Sequence, residues 1–448
     1  VSRARAHARA IFAAGVAAVE PGAAVRAHLA LRDGMLQAGE SRIPLTGRVV
    51  LVGMGKASAL MAQAVEGLLG ERIQGGVVVT KYQHGVPVTR VALRESGHPV
   101  PDAAGVQAAQ AIEGSLQGLT ARDLVIVCLS GGASALVVSP RAGITLEDKQ
   151  EVARLLLGSG ADITAMNTVR KKLSRLKGGG LVRACGGARV LCLAISDVIG
   201  DDWSIIGSGP TAPDPSSFAD AMAVVERFGI SARLPAGVRA LLQRGCAGQE
   251  PETLKPEDPV FRQVTNLLLA SNRQALQAAR AQAQALGYAV SEERELMQGD
   301  ARARGEAFAR TLQGLQRPAG ATTQPRCLLA GGETTVVLGS DHGLGGRNQE
   351  FALAGACVLA ADPASAPTPA ALALLAGGTD GTDGPTDAAG GLVDAGTVAR
   401  ARGVSLDAQA HLRRHDAYAC LKASGDLLMT GPTGTNVMDL AIGVCLPG

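Results

Sequence analysis

The sequence predicts an α/β protein whose strands lie in parallel sheets joined by helical crossovers, divided between at least two domains. Three observations point there. The chain has 448 residues, two to three times the usual domain length. Short apolar runs alternate with longer helical patterns almost throughout. Its 58 glycines, well above the roughly 7% of average usage, cluster at the ends of apolar runs, where turns and ligand loops need a bare backbone.

The first segment, "VSRARAHARAIFAAGVAAVEPG", has Ile11, Phe12, Val16 and Val19 at helical spacing. It reads as an amphipathic helix stopped by Glu20-Pro21-Gly22, rather than as a targeting peptide. "RVVLVGMGKAS" is a strand entering a loop, followed by a helix from about Ala57 to Leu69, and "GGVVVTKY" is the next strand. "SGHPVPD" is a loop fixed by Pro99 and Pro101, ahead of a helix near Ala103 to Glu113. "DLVIVCLSGGASALV" follows as a strand, a glycine turn and a helix start. Thr145, three residues before Asp148, is the expected N-cap of "TLEDKQEVARLLLGSG", and "RVLCLAISDVIGDD" returns to strand. Pro, Gly and charge collect in "GCAGQEPETLKPEDP", which sets the expected domain boundary: residues 1–245 in one domain, 246–448 in the other.

Beyond that boundary "LLLASNRQALQAARAQAQALGY" opens a second strand and helix series. "ARARGEAFARTLQGL" reads as a helix, "RCLLAGGETTVVLG" as strand, "GGRNQEFALAGACVLA" as a helix and "ALALLAGG" as strand. Asp362 to Ala371 reads as a surface loop. The final run alternates Leu440, Ile442, Val444 and Leu446, the pattern of a strand with one covered face; the pattern leaves open which domain receives it.

Composition narrows the function. Formal charge is +3, too balanced for a nucleic-acid or membrane partner, and aromatics at 2% provide no base-stacking platform. The eight cysteines show no C-x-x-C pair and no histidine at zinc spacing, so reduced thiols in a cytoplasmic protein are expected. No run approaches the 18 or so uninterrupted apolar residues of a membrane span.

Several stretches carry residues suited to anion chemistry. Ser130, Gly131, Gly132 and Ser134 lie between strand and helix, where amide groups collect at a sheet end. "GMGKAS" is neither a dinucleotide fingerprint nor a Walker loop. Ser58 stands where the third glycine belongs, and the next strand ends in Thr80-Lys81 instead of the ribose-binding acid. What remains there is Lys56 at a strand C-terminus, aimed at phosphate. Asn167 and Arg170, at i and i+3, share a helix face in "MNTVRKKLSRLKGGG". Asp197, Asp201 and Asp202 follow a strand, where an acid holds Mg²⁺ or takes a proton from an alcohol, or, for Asp201 or Asp202, caps the next helix. Arg347, between flexible glycines and a helix, can clamp a carboxylate or phosphoryl group. Asp380, Asp383 and Asp387 do not have EF-hand spacing; Asx-turns account for one or two, leaving a metal or substrate role for the rest.

Nine blocks in one order, "VGMGKAS", "SGHPVPD", "LSGGASAL", "MNTVRKKLS..KGG", "SDVIGDD....GSGPTAPDP", "GGETTV", "GLGGRNQE", "GTDGTDGPTDAAG" and "TGPTGTNVMDL", resemble the glycerate 2-kinase family, whose C-terminal part is the MOFRL domain. The likeness runs from about residue 5 to the end. It implies a Rossmann-like first domain, a MOFRL-type second domain and an active site in the cleft between them. It further implies ATP-dependent phosphorylation of D-glycerate at the 2-hydroxyl with Mg²⁺, without nucleic acid or membrane, and a homodimer is compatible with it. Lys56 and Arg347 match the family positions that act on phosphate. Asp197 joins them as metal ligand or hydroxyl partner, with Asp383 as a second metal ligand. Ser130, Gly131, Gly132, Ser134, Asn167, Arg170 and Glu333 hold phosphate or the substrate carboxylate. Lys172 stands where members often have histidine, so that position receives no catalytic role. Some members are labelled hydroxypyruvate reductases; the incomplete fingerprint argues against NAD(P)H.

Overall fold

The computed structural model describes residues 1–316, 324–339, 341–361 and 371–447. Most of the loop expected at 362–371 lies outside them. Among the described residues fifteen strands occur in chain order: β1 Leu29–Arg32, β2 Met35–Ala38, β3 Ser41–Pro44, β4 Val49–Met54, β5 Ile73–Lys81, β6 Ala92–Ser96, β7 Leu124–Leu129, β8 Arg189–Ile195, β9 Val264–Ala270, β10 Ala289–Glu292, β11 Arg326–Gly332, β12 Ala371–Gly378, β13 Gly390–Val393, β14 Leu427–Leu428 and β15 Asp439–Leu446.

The chain separates into two compact units, one of Pro21–Leu269 and one combining Val1–Glu20 with Ala270–Gly448. In the first, a six-stranded sheet runs in the order β6-β5-β4-β7-β8-β9, with parallel pairing from β6 through β8. β4 and β7 are buried along their whole length, as strands covered on both faces must be. Val52, Val79, Val127, Ile112 and Leu181 share one core beside them. Thr145 and Asp148 form the expected capping box of helix Leu146–Gly158. A three-stranded antiparallel sheet, β1-β2-β3, went unread in the sequence, although Asp33-Gly34, both at positive φ, is a standard hairpin signal.

The second unit carries a six-stranded sheet ordered β10-β11-β15-β12-β13-β14. Only β10 and β11 pair in parallel, so the parallel expectation fails for most of this sheet. β15 lies at its centre, antiparallel to both β11 and β12. That position buries both faces, not the one face the alternation implied, and Ala441 and Gly443 are small because they too are covered.

Two parts of the chain fall on the other side of the expected boundary. β9, expected to start the second domain, is an edge strand of the first sheet, and its Val264 and Leu268 pack on the first core. The N-terminal helix Ser2–Ala17 belongs with the second unit. Its buried stripe includes Ala8, Ile11 and Phe12; a Cβ on Gly15 would sit 2.9 Å from Leu440, and Thr435 donates to the Val19 carbonyl at 2.7 Å. Low sequence separation is no guide here, because the apolar stripe packs wherever a complementary face exists.

Candidate active site

In the parallel-sheet unit, the loops after β4 and β7 are laced together at the sheet's C-terminal edge. Lys56 N donates to the Gly131 carbonyl at 2.9 Å, and Ala57 N to Ser130 Oγ at 3.0 Å. Gly55 N reaches Val79 O at 3.2 Å, and Ser58 N reaches Gly55 O at 3.2 Å. The main-chain amides of Gly55, Lys56, Ala57 and Ser58 in the first glycine loop are therefore used internally. Buried Ser130, expected on the substrate, instead accepts from Ala57 and ties the two loops. Gly55 has to be glycine, since a Cβ would lie 2.5 Å from the Ser130 carbonyl oxygen.

The amides of Gly131, Gly132, Ala133 and Ser134 have no acceptor among the described residues. Gly132 adopts φ 86°, so the chain turns sharply and aligns those donors at the start of the short helix Ala133–Leu136. A side chain on Gly132 would meet His98 Nε2 at 3.1 Å and Lys56 Cγ at 3.4 Å. His98 thus stands at this loop beside Lys56. Sequence reasoning saw only the prolines of "SGHPVPD".

A hydrogen-bond chain continues inward. Ser134 Oγ and Ser208 Oγ lie 2.7 Å apart, and Ser208 donates to Asn167 Oδ1 at 3.0 Å. Ser208, unassigned from the sequence, is buried and held at φ 63°, which fixes its hydroxyl between the two expected site residues. Arg170 follows Asn167 by one turn of helix Ile163–Lys172. Burial lowers the pKa of its guanidinium. Burial, with Arg170 nearby, pushes the Lys149 ammonium down to about 7, and burial, Lys149 and Arg170 together push Lys177 well below its usual range. Lys172 behaves differently. Fully buried, it donates to Asp214 at 2.9 Å, Glu252 at 3.1 Å and Thr253 at 2.8 Å, a structural network consistent with withholding a catalytic role.

Asp197 is half-buried just past the end of β8. Asp202 accepts from Ser204 N at 2.8 Å and so organises its own turn.

In the mixed-sheet unit, Arg347 opens helix Arg347–Ala361 and is tightly paired. Its Nε and Nη2 donate to Asp439 at 2.6 and 2.9 Å, and Nη1 lies 2.8 Å from Glu333. Glu333 follows β11 directly and Asp439 begins β15, neighbouring strands in which Gly332 is opposite Asp439. Burial opposes the Arg347 charge, but Asp439 and Glu333 outweigh it and raise the pKa. Glu333, expected on substrate, is in this state a partner of Arg347.

Asp383 does not fit a metal. One carboxylate oxygen accepts from Asn348 N at 3.1 Å and Nδ2 at 3.3 Å, the other from Gln349 N at 2.8 Å. It therefore caps the Arg347–Ala361 helix from outside its own segment. Burial, with a contribution from nearby Asp439, pushes its carboxyl up to about 7 against those hydrogen bonds. Asp380 accepts from Thr382 N at 3.0 Å, the expected Asx-turn, and Asp387 accepts from Tyr418 at 2.7 Å. No cluster of three or more metal-ligating side chains occurs among the described residues.

Comparison with known proteins identifies the family. Residues 7–243 match the family model described as "Domain of unknown function (DUF4147)", and residues 326–439 match the MOFRL family. A Pyrococcus horikoshii protein named glycerate 2-kinase is 38% identical across 96% of this chain and 94% of its own length. The chain belongs to the glycerate 2-kinase family. The solved structure of Thermotoga maritima glycerate kinase superimposes with a TM-score of 0.83 at 35% identity, covering 100% of both chains. A protein of Agrobacterium vitis carrying a hydroxypyruvate reductase name is 42% identical over 96% of this chain and 92% of its own. Two names therefore circulate among members of the family, and the geometry around Ser58 bears on the choice. Ser58 is fully buried and donates to Gly55 O at 2.7 Å and Val79 O at 2.8 Å, and Thr80 Oγ1 is bonded to Lys56 O at 3.1 Å. The third-glycine position is thus a packed hydroxyl and the β5 tip offers no ribose-binding acid, as the sequence led us to expect.

Proposed function

We propose that this chain transfers the γ-phosphoryl group of ATP to the 2-hydroxyl of D-glycerate, giving 2-phospho-D-glycerate and ADP. The observation that carries the reading is the full-length likeness to proteins named as glycerate 2-kinases, in a chain whose phosphate-suited residues stand at sheet ends. Lys56 neutralises charge on the phosphates beside the donors of Gly131 to Ser134. Phosphoryl transfer demands little covalent chemistry from a protein, so positioning and charge neutralisation do most of the work. Arg347, preset by Asp439, presents its guanidinium to an anion when Glu333 gives way. Mg²⁺ when bound supplies further neutralisation, and protein sites hold it through one or two carboxylates completed by phosphate oxygens and water. Asp197, half-buried at a strand tip, suits that role or the orientation of the 2-hydroxyl; Asp383 suits neither. Asp197→Asn with a Mg²⁺ titration separates the two, since loss of a ligand raises the metal requirement whereas loss of an orienting group lowers turnover at saturating metal.

The eight thiols are all unpaired, which fits the reducing cytoplasm. No single helix among the described residues is long and apolar enough to cross a membrane. The deciding assay supplies D-glycerate, ATP and Mg²⁺, follows ADP, and identifies the phosphoglycerate isomer by ³¹P NMR. NADH consumption with hydroxypyruvate in the absence of ATP would instead establish the reductase.

A further inference from the structure

We propose that Lys149, Arg170 and Lys177 form the seat for the carboxylate of the acceptor acid, an assignment that rests on the kinase reading above. Lys149 comes from helix Leu146–Gly158, Arg170 from helix Ile163–Lys172, and Lys177 from the turn leading into Gly178. Lys177 is only 5% exposed, and no carboxylate among the described residues pairs with it or with Arg170. Lys149 Nζ donates to the Leu173 carbonyl at 3.3 Å and pairs with no carboxylate among the described residues.

The neighbouring lysines supply the control. Lys171 and Lys172, on the same helix as Arg170, lie 3.4 and 2.9 Å from Asp214. This region therefore pairs Lys171 and Lys172 with an acid and leaves Lys149, Arg170 and Lys177 without a carboxylate partner among the described residues. Holding like charges together without a counter-ion, one of them on the buried Lys177, is costly, and an anion brought by a ligand relieves that cost. Charge with no internal acid partner is open to an anion without any exchange of partners.

The choice of carboxylate over phosphate follows from placement. Gly178 N donates to Ser208 O at 3.1 Å, joining the Lys177 turn to the Asn167–Ser208–Ser134 chain, which ends on the glycine loop. A 2-hydroxy acid has its carboxylate on the carbon next to the phosphorylated hydroxyl. Its seat must therefore adjoin the phosphate loop without being part of it. Lys56 and the Gly131 to Ser134 amides already serve the phosphates.

Lys177→Met tests the assignment, by calorimetric titration of D-glycerate without nucleotide, by KM for each substrate, and by thermal melts of the ligand-free enzyme. Loss of one charge-assisted contact should weaken D-glycerate binding and raise its KM by roughly 10- to 100-fold, with the KM for ATP within about twofold of wild type. The ligand-free variant should melt higher than wild type, because a buried uncompensated cation is gone. Unchanged D-glycerate binding, or a rise confined to the KM for ATP, overturns the proposal, as does a lower melting temperature with binding intact, the mark of a structural lysine. Lys149→Met and Arg170→Gln give the same readouts should Lys177→Met not fold. A wild-type chain that binds D-glycerate through these residues but does not phosphorylate it would refute the kinase reading and leave the carboxylate seat standing.

Discussion

In the parallel-sheet unit, Lys149, Arg170 and Lys177 pair with no carboxylate among the described residues, whereas in the mixed-sheet unit Arg347 is gripped by Asp439 and Glu333 together. Both regions are glycine-rich and basic in sequence, and both were read as anion sites on similar grounds. The structure separates them by what surrounds the charge. A bare cation is ready for a ligand at a standing cost in stability, while a paired one is rigid, stable and available only by exchange of a partner. Exposure indicates which partner can be exchanged: the Glu333 side chain is 41% exposed and Asp439 only 1%.

The largest effect should come from Arg347→Ala. Truncation leaves Asp439, buried beside Asp383, without its counter-ion, a change that costs about 3–5 kcal/mol in comparable pairs. Urea melts should show that loss together with a fall in turnover of roughly a thousandfold; unchanged stability would mean that Asp439 finds water or another partner. Next comes Lys56→Met at the parallel sheet, where turnover should drop about a hundredfold or more, the scale for losing one preorganised charge-stabilising group.

The pH dependence of stability sharpens the comparison because the two regions slope in opposite directions. Asp383 has its folded pKa raised from 3.8 to about 7, so the native state holds the extra proton across that window and stability contributed there falls as pH rises. Lys149 has its pKa lowered from 10.5 to about 7, so the unfolded chain holds the extra proton and stability rises with pH from about 7 upward. Asp383→Asn should flatten the first slope and Lys149→Met the second, as read from urea midpoints across pH; slopes unaltered in both would show that these groups titrate normally. The smallest effect belongs to Glu333→Gln. A half-exposed ion pair contributes about 1 kcal/mol or less, so stability should hold while anion affinity improves; a large loss of stability would make Glu333 a structural partner.

Much of the fold was legible because its signals are local. The buried runs of β4 and β7, the Thr145 cap and the helix starting at Arg347 each follow from a few adjacent residues. The unit boundary was not, because the stripe of Ile11 and Phe12 and the apolar face of β9 are compatible with either sheet, and only three-dimensional packing selects one. The same limit held at the site. Lys56, Asn167 and Arg170 stood out by motif, yet the role of Ser130 as a loop tie and of Asp383 as a remote helix cap depended on partners 73 and 34 or 35 residues away. Lys177 lay in a charge run that reads as a solvated face, and only its burial without an acid distinguishes it from Lys172. Ser208 carried one usable signal, its place between two glycines in a proline-rich loop.

The most direct test is a crystal of the enzyme grown with D-glycerate, Mg²⁺ and a non-hydrolysable ATP analogue. Phosphate oxygens should lie against the Lys56 side chain and the Gly131 to Ser134 amides, with the glycerate carboxylate on Lys149, Arg170 and Lys177. Ligands bound elsewhere, away from those groups, would contradict the account.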